Sequence, residues 1–497
     1  MKSLITLIIV ALSYPTLAQW TVLGSAGFST GTPQYLQMAM SGETPYVAYK
    51  DASNSERCTV MKFNGSTWET VGSAGFTPGI ARDLDIIIVD GTPYVCFADA
   101  ENLHRPTVYK FDGSDWVQVG GVVSSSSTYG TSINYHDSVF YVGSVQGNAG
   151  YGYKFVDSVW SQVTFVPASM GSVQDMDMAI DPSSGKVYMS YRDNVNDGKA
   201  SVATPGMNSW LNVGPLGFTT NAVRSTKLAI KDGVPYVAFR DVVTDRISVM
   251  KNDGGWSMVG QGSFSDGSII SPAIGFFEGK PYVAFSDAVD SDKCAAMYYN
   301  GAEWEALPSG ASEGKATGQV MTTTSTAVYI AYLDWANGEK VTVVKYEKCD
   351  IELGVTQVGA TLSSNQNDAT YQWIDCNAFA SIPGETAQSF TASENGTYAV
   401  QITVDNCVDT SDCTSIVNVG IDEVTDELSV AVFPNPSQDY VHVSSSERLV
   451  SICVYDIMGN KLIQTTDPVL CVSSLPKGIY FLQASSESNE TVVSFMK

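Results

Sequence analysis

One short string keeps returning along this chain. Pro45-Tyr-Val-Ala-Tyr-Lys-Asp51, Pro93-Tyr-Val-Cys-Phe-Ala-Asp99, Pro235-Tyr-Val-Ala-Phe-Arg-Asp241 and Pro281-Tyr-Val-Ala-Phe-Ser-Asp287 are near copies, and looser copies start at Phe140, Val187 and Val328. All seven carry Tyr at the second position: Tyr46, Tyr94, Tyr141, Tyr188, Tyr236, Tyr282 and Tyr329. A Trp recurs out of phase, at Trp20, Trp68, Trp116, Trp160, Trp210, Trp256 and Trp304, in steps of 44 to 50 residues. A repeat of this length made of short strands cannot bury its apolar face alone, but copies stacked around an axis form propeller blades. The reading is all-β: a seven-bladed β-propeller over residues 19–348, followed by two small β-sandwich domains.

Within a blade the pattern is specific. Leu84-x-Ile86-x-Ile88 alternates as a half-buried strand does, Asp90-Gly91 is a two-residue hairpin signal, and Pro93 opens the next strand, where its missing N–H does little harm. Thr107–Phe111 reads as a third strand, Asp112-Gly113 as a turn and Trp116–Val119 as a fourth strand. The residue two after each Tyr is small (Ala48, Cys96, Gly143, Ser190, Ala238, Ala284, Ala331), which lets neighbouring sheets approach. Seven Trp strands match seven Tyr strands only if Trp20 completes the last blade, which removes the open edge. The pattern resembles that of bacterial seven-bladed propellers. It lacks the Gly-His and Trp-Asp pairs of WD repeats and the Ser-x-Asp-x-Gly-x-x-Trp box of sialidases.

The chain carries 52 acidic and 27 basic residues, a net charge of −25, which argues against nucleic acid or an anionic membrane as partner of the whole surface. Lys2, the apolar run Leu4–Leu12 and Thr16-Leu17-Ala18 read as a secretory signal over residues 1–18, with Gln19 the expected mature N-terminus. No later run is long enough for a transmembrane helix. Nine cysteines leave at least one unpaired; Cys58 and Cys294 occupy equivalent places in separate blades and read as small buried residues, whereas Cys349, Cys376, Cys407 and Cys413 are the better disulfide candidates.

Loops after the second strand and loops entering the next blade share one face of a propeller. Arg57, Arg82, Arg105, Arg192, Arg224, Arg240 and Arg246 all fall there or at adjoining strand ends, as do Asp51, Asp99, Asp193, Asp241, Asp287 and Asp334, with Gln146 in the third blade. We take Arg82, Arg105, Arg192, Arg224 and Arg240 with the six aspartates as candidate ligand-binding residues. Guanidinium forks suit carboxylate or sulfate, and oxygen ligands suit calcium, although no cofactor is required. The competing reading has each Asp end its strand by accepting backbone N–H groups from the following turn. Catalysis finds little support: His104, His136 and His442 sit at unrelated positions, and neither Gly-x-Ser-x-Gly nor His-Glu-x-x-His occurs. The ring thus reads as a binding module for a glycan or a protein, with a polysaccharide-acting hydrolase or lyase, or a structural adhesin, as alternatives.

Residues 349–420 contain nine acidic residues and no Lys, Arg or His. Tyr371-Gln-Trp-Ile-Asp-Cys376, Ile382-Pro-Gly, Asn395-Gly-Thr-Tyr398 and Cys407-Val-Asp-Thr-Ser-Asp-Cys413 resemble the small Ig-like domains that precede sorting tails in Bacteroidetes surface proteins, with Trp373 in the core. Residues 421–497 carry Val432-Phe-Pro-Asn-Pro-Ser437, then Ile452-Cys-Val-Tyr-Asp-Ile-Met-Gly-Asn-Lys-Leu462, then Leu475-Pro-Lys-Gly-Ile-Tyr-Phe-Leu482. These motifs resemble the type A C-terminal sorting domain of the type IX secretion system, with Pro434, Asn435, Pro436, Gly459, Gly478 and Tyr480 as its marks. The resemblance implies passage through the periplasm, recognition by the type IX machinery, and a secreted or outer-surface destination. Cys453 and Cys471 read as core residues or as one disulfide.

Overall fold

The structure, a computed structural model, describes residues 20–164, 168–169, 171–347, 351–378, 380–404, 407–417 and 428–497. The secretory signal and Cys349 lie outside the described residues. Two compact units result, one built around the first seven sheets and the other around the last four.

Each of the seven sheets has four antiparallel strands. In the second blade these are Ala81–Val89, Thr92–Asp99, Arg105–Phe111 and Trp116–Val122, from the axis outward. Asp90 and Gly91 both take positive φ, as a tight hairpin requires. The seventh sheet runs Ala316–Thr323, Ala327–Asp334, Lys340–Glu347 and then Trp20–Val22, with Trp20 opposite Tyr346. The N-terminal strand therefore completes the last blade.

Trp repeats because its indole ties one blade to the one before. Trp68 Nε1 donates to Leu23 O, Trp116 to Val71 O, Trp160 to Val119 O, Trp256 to Val213 O and Trp304 to Val259 O, at 2.6 to 3.0 Å. Trp20 makes the equivalent bond to Pro308 O at 2.9 Å, across the closure. A Phe stacks flat on four of these indoles, as Phe76 does on Trp116 with centroids 4.0 Å apart. Gly72 shows why the approach to the ring needs glycine: its φ is +67°, and a Cβ there would meet Phe111 at 2.8 Å and the Trp116 indole nitrogen at 3.1 Å. The small repeat position is buried in every blade. At Gly143 a Cβ would lie 3.1 Å from Met176 Sδ and 3.3 Å from Met178 Cβ of the next blade.

Beyond the ring, one sandwich pairs Val355–Val358, Thr361–Ser364 and Ser389–Thr391 in one sheet and centres the other on Thr370–Asp375 and Gly396–Val404. Trp373 is fully buried, stacks on Phe390 and donates to Ala387 O at 3.0 Å. Tyr398 OH reaches back to Glu394 O at 3.0 Å. Cys376 and Cys413 form a disulfide and Cys407 is also disulfide-bonded.

The last sandwich has a three-stranded sheet (Val430–Phe433, Tyr440–Ser445, Val469–Cys471) and a four-stranded one centred on Ser451–Tyr455 and Ile479–Ser485. Its core includes Val441, Ile452, Val454, Leu482 and Phe495. Cys58, Cys96, Cys294 and Cys453 are buried free thiols. The expectation for Cys471 needs correcting: it is free and exposed, because it ends the narrow sheet on the outward face, with Ser473 Oγ beside its sulfur at 3.1 Å.

Candidate functional site

The arginine-bearing face is shaped by a device at the top of the innermost strands. Pairing slips between Gln34 and Gln37, Arg82 and Asp85, Gln174 and Asp177, Arg224 and Lys227, Ile270 and Ala273, and Thr317 and Val320. Each slip is a bulge holding one left-handed residue: Tyr35, Asp83, Asp175, Ser225, Ser271 or Gly318. A bulge adds a residue and re-aims its neighbours, here around the mouth of the axial channel. Only the third blade lacks it among the described inner strands.

Where the bulges of blades two, four and five converge they border an open cavity of about 570 Å³. Asp83, Gln174, Asp175, Arg192, Arg224 and the exposed Tyr129 line it. Arg192 Nη1 donates to Gln174 Oε1 at 3.0 Å, while its Nε is shielded from solvent and has no partner. Asp175 accepts from Ser225 N at 2.9 Å, and the Thr226 hydroxyl donates to Asp175 O. Burial lifts the Asp83 carboxyl above its ordinary range, opposed by the charges of Arg82 and His104.

One step down the channel, carboxylates stitch the inner strands together. Asp85 accepts from Ile86 N at 2.9 Å and from Ile133 N of the next blade at 2.7 Å. Asp177 accepts from Met178 N and, at 2.9 Å, from Leu228 N of the following blade. The innermost edge has no further strand to take these N–H groups, so the side chains substitute for one. Desolvation pushes the Asp85 carboxyl up to about 6, with the charge of Asp177 adding to the rise and the Ile133 bond and Lys227 opposing it.

The structure brings Arg192 and Arg224 together at the cavity. Arg82 is exposed beside Asp83 but is not part of the wall, and Arg105 is half-buried away from it. Arg240 is occupied: its Nε and Nη2 both donate to Asp245 Oδ1, at 3.1 and 2.8 Å. The repeated aspartates cap their own turns. Asp51, Asp99, Asp193 and Asp334 each precede a single 3-10 turn and accept the N–H two residues on. Their second oxygens take Asn54, Asn102, Asn196 and Asn337 Nδ2, and Thr59, Ser201 and Thr342 hydroxyls bond three of them. Asp241 accepts Val243 N, Thr244 N and Asn221 Nδ2, and Asp287 accepts Val289 N. Among the described residues no group of three or more His, Cys, Asp or Glu is placed to hold a metal ion.

In the last sandwich the motif residues meet at the chain end. The Phe433–Pro434 and Asn435–Pro436 peptides are cis, and Asn435 Oδ1 accepts Met496 N at 2.8 Å. Gly459 takes positive φ in the turn held by Asp456, Gly478 pairs with Lys497, and Tyr480 OH donates to Pro476 O at 2.7 Å. Residues 431–497 match the family model described as the secretion system C-terminal sorting domain. The chain ends in a type IX secretion sorting domain. The sorting domain marks the protein for export, to the cell surface or beyond it, and implies recognition by the type IX machinery. No helix among the described residues is long and apolar enough to cross a membrane. No curated protein matches the chain by sequence. Among solved structures, the polysaccharide lyase Uly1 is similar over 69% of this chain and 94% of its own, with 10% identity and a TM-score of 0.45. A protein of unknown function from Dyadobacter fermentans DSM 18053 is similar over 67% of this chain and 99% of its own, with 12% identity and a TM-score of 0.41. The fucose-specific lectin of Aleuria aurantia is similar over 57% of this chain and 100% of its own, with 15% identity and a TM-score of 0.37.

Proposed function

We propose that this exported protein binds an acidic glycan at the channel mouth, between blades two and five. The observation that carries the reading is the pair Arg192 and Arg224, set by adjacent blades on one cavity. Two guanidiniums supply donors for a sugar carboxylate or sulfate. Asp83, Asp175 and Gln174 supply acceptors for hydroxyls, and exposed Tyr129 offers a ring face. That mixture suits an acidic sugar better than a bare anion, which the two carboxylates would repel. The test is a glycan array of the mature chain against Arg192→Ala/Arg224→Ala. We expect carboxylated or sulfated glycans to bind the parent and to lose roughly tenfold or more in the folded variant. Equal binding by both proteins, or none by either, refutes the reading.

A second reading is cleavage of such a glycan. Asp83, its carboxyl raised by burial, shares the cavity with Asp175, and carboxyls in unlike settings divide acid and base roles. Reducing-end release that disappears in Asp83→Asn would support it, and intact glycan after long incubation would exclude it.

A further inference from the structure

Blade six departs from blades one, four and seven at one point, beside a cavity. In blades one, four and seven the second oxygen of the repeated Asp is filled by an Asn three residues on and a Thr or Ser eight residues on. In blade six those places hold Asp290 and Ala295. Neither can donate, so Asp287 keeps only the bond from Val289 N and is the one partly exposed member of its set. Asp287, Asp290 and Ala295 line a cavity of about 590 Å³.

Its floor is apolar: Phe285, Ala296 and Leu307 are buried, and Phe264 is held rigid by stacking on Trp304 at 4.2 Å. Its polar wall is almost wholly acceptor. Asp266 and Glu313 join Asp287 and Asp290, against a single ammonium, Lys293, 3.4 Å from Asp290. Four carboxylates around an aromatic floor would repel an anion and would leave their acceptor capacity unused with a neutral apolar guest.

We propose that this pocket binds a small organic cation, an amine carried on an apolar body, the ammonium lying among Asp287, Asp290 and Glu313 and the body on Phe264. The volume admits one or two sugar rings, so an amino sugar and an aliphatic diamine are the two sources of this chemistry. The site lies in blade six and is separate from the arginine cavity.

The mature chain is titrated calorimetrically with a glucosamine disaccharide, its N-acetylated counterpart and 1,5-diaminopentane. We expect at least one amine to bind, the N-acetylated sugar to bind at least tenfold more weakly, and affinity to fall with salt. Binding of the disaccharide alone assigns the amino sugar; equal binding of the diamine assigns the simple amine. Asp287→Asn/Asp290→Asn should weaken the amine on the order of a hundredfold, roughly tenfold for each charge-assisted contact. Glu313→Gln, exposed and outside every turn bond, should cost roughly tenfold and serves if the double variant does not fold. Arg192→Ala/Arg224→Ala should leave amine affinity unchanged, which separates this site from the glycan reading. The proposal fails if neither amine binds, if the N-acetylated sugar binds equally, or if the carboxylate variants bind as the parent does.

Discussion

Replacing Trp20 by Ala tests whether the ring is fastened by its first strand. Trp20 is half-buried, donates to Pro308 O at 2.9 Å and lies 5.3 Å from the Tyr346 ring. Half of a Trp side chain is about 100 Å² of apolar surface, or about 2.5 kcal/mol. The indole bond contributes about 1 kcal/mol and the ring pair about 0.5 kcal/mol, for a total of about 4 kcal/mol. An unfolding entropy near 2 cal/mol/K per residue over some 330 ring residues converts this to a melting-temperature drop of about 6 °C. Trp116→Ala is the control, because Trp116 makes the same bond inside the ring, to Val71 O at 2.9 Å. The assay is thermal unfolding of both variants followed by tryptophan fluorescence and circular dichroism. Similar losses mean the seventh blade is closed as firmly as the others. If Trp20→Ala shifted the midpoint by less than about 1 °C while Trp116→Ala fell as expected, the closing strand would not hold the ring and the reasoning would be wrong.

The Asp85 carboxyl, raised to about 6 from an ordinary value near 4, makes the folded chain the better proton binder between those values. Its contribution therefore stabilises as pH falls from 7 toward 4, by roughly 3 kcal/mol in all; urea midpoints across that range should show it, and Asp85→Asn should remove that component. Breaking the Cys376–Cys413 bridge, 37 residues apart, with Cys376→Ser/Cys413→Ser should cost its sandwich about 4 kcal/mol, read by limited proteolysis and denaturant midpoint; an unchanged midpoint contradicts this. Deleting residues 428–497 should leave the protein in the periplasm on cell fractionation, and surface delivery of that form would count against the tail as the export signal.

What was legible in the chain follows from what repeats. Trp recurs because its indole bond ties one blade to the one before, and the Trp and Tyr counts together revealed seven sheets and assigned Trp20 to the last. The Phe that stacks on Trp was open to the same reading: Gly-Ser-Ala-Gly precedes both Phe28 and Phe76. The inner bulges were not legible, because Tyr35, Asp83, Asp175, Ser225 and Ser271 hold left-handed backbone without the glycine that usually signals it. Nor could the pattern sort the arginines: Arg240 faces Asp245 and Arg192 faces Gln174 by register and loop length, which a count of residues on one face does not convey. The blade-six exception was legible in principle, since Asp290 and Ala295 stand where blades one, two, four and seven have Asn and a hydroxyl, but it matters only once the rule is known to be a hydrogen bond.

The strand Trp20–Val22 pairs with Lys340–Glu347 over a long loop of sequence, and even its indole contact with Pro308 spans 288 residues. In an unfolded chain, joining such ends costs on the order of 5 kcal/mol of loop entropy. Six assembled blades already hold the ends close, so that cost is met before the strand docks. It then docks as a tethered ligand, at an effective concentration in the millimolar range for a short flexible tether. At micromolar protein each ring captures its own strand, whereas crowding toward that tether concentration lets neighbouring rings exchange strands and link into chains.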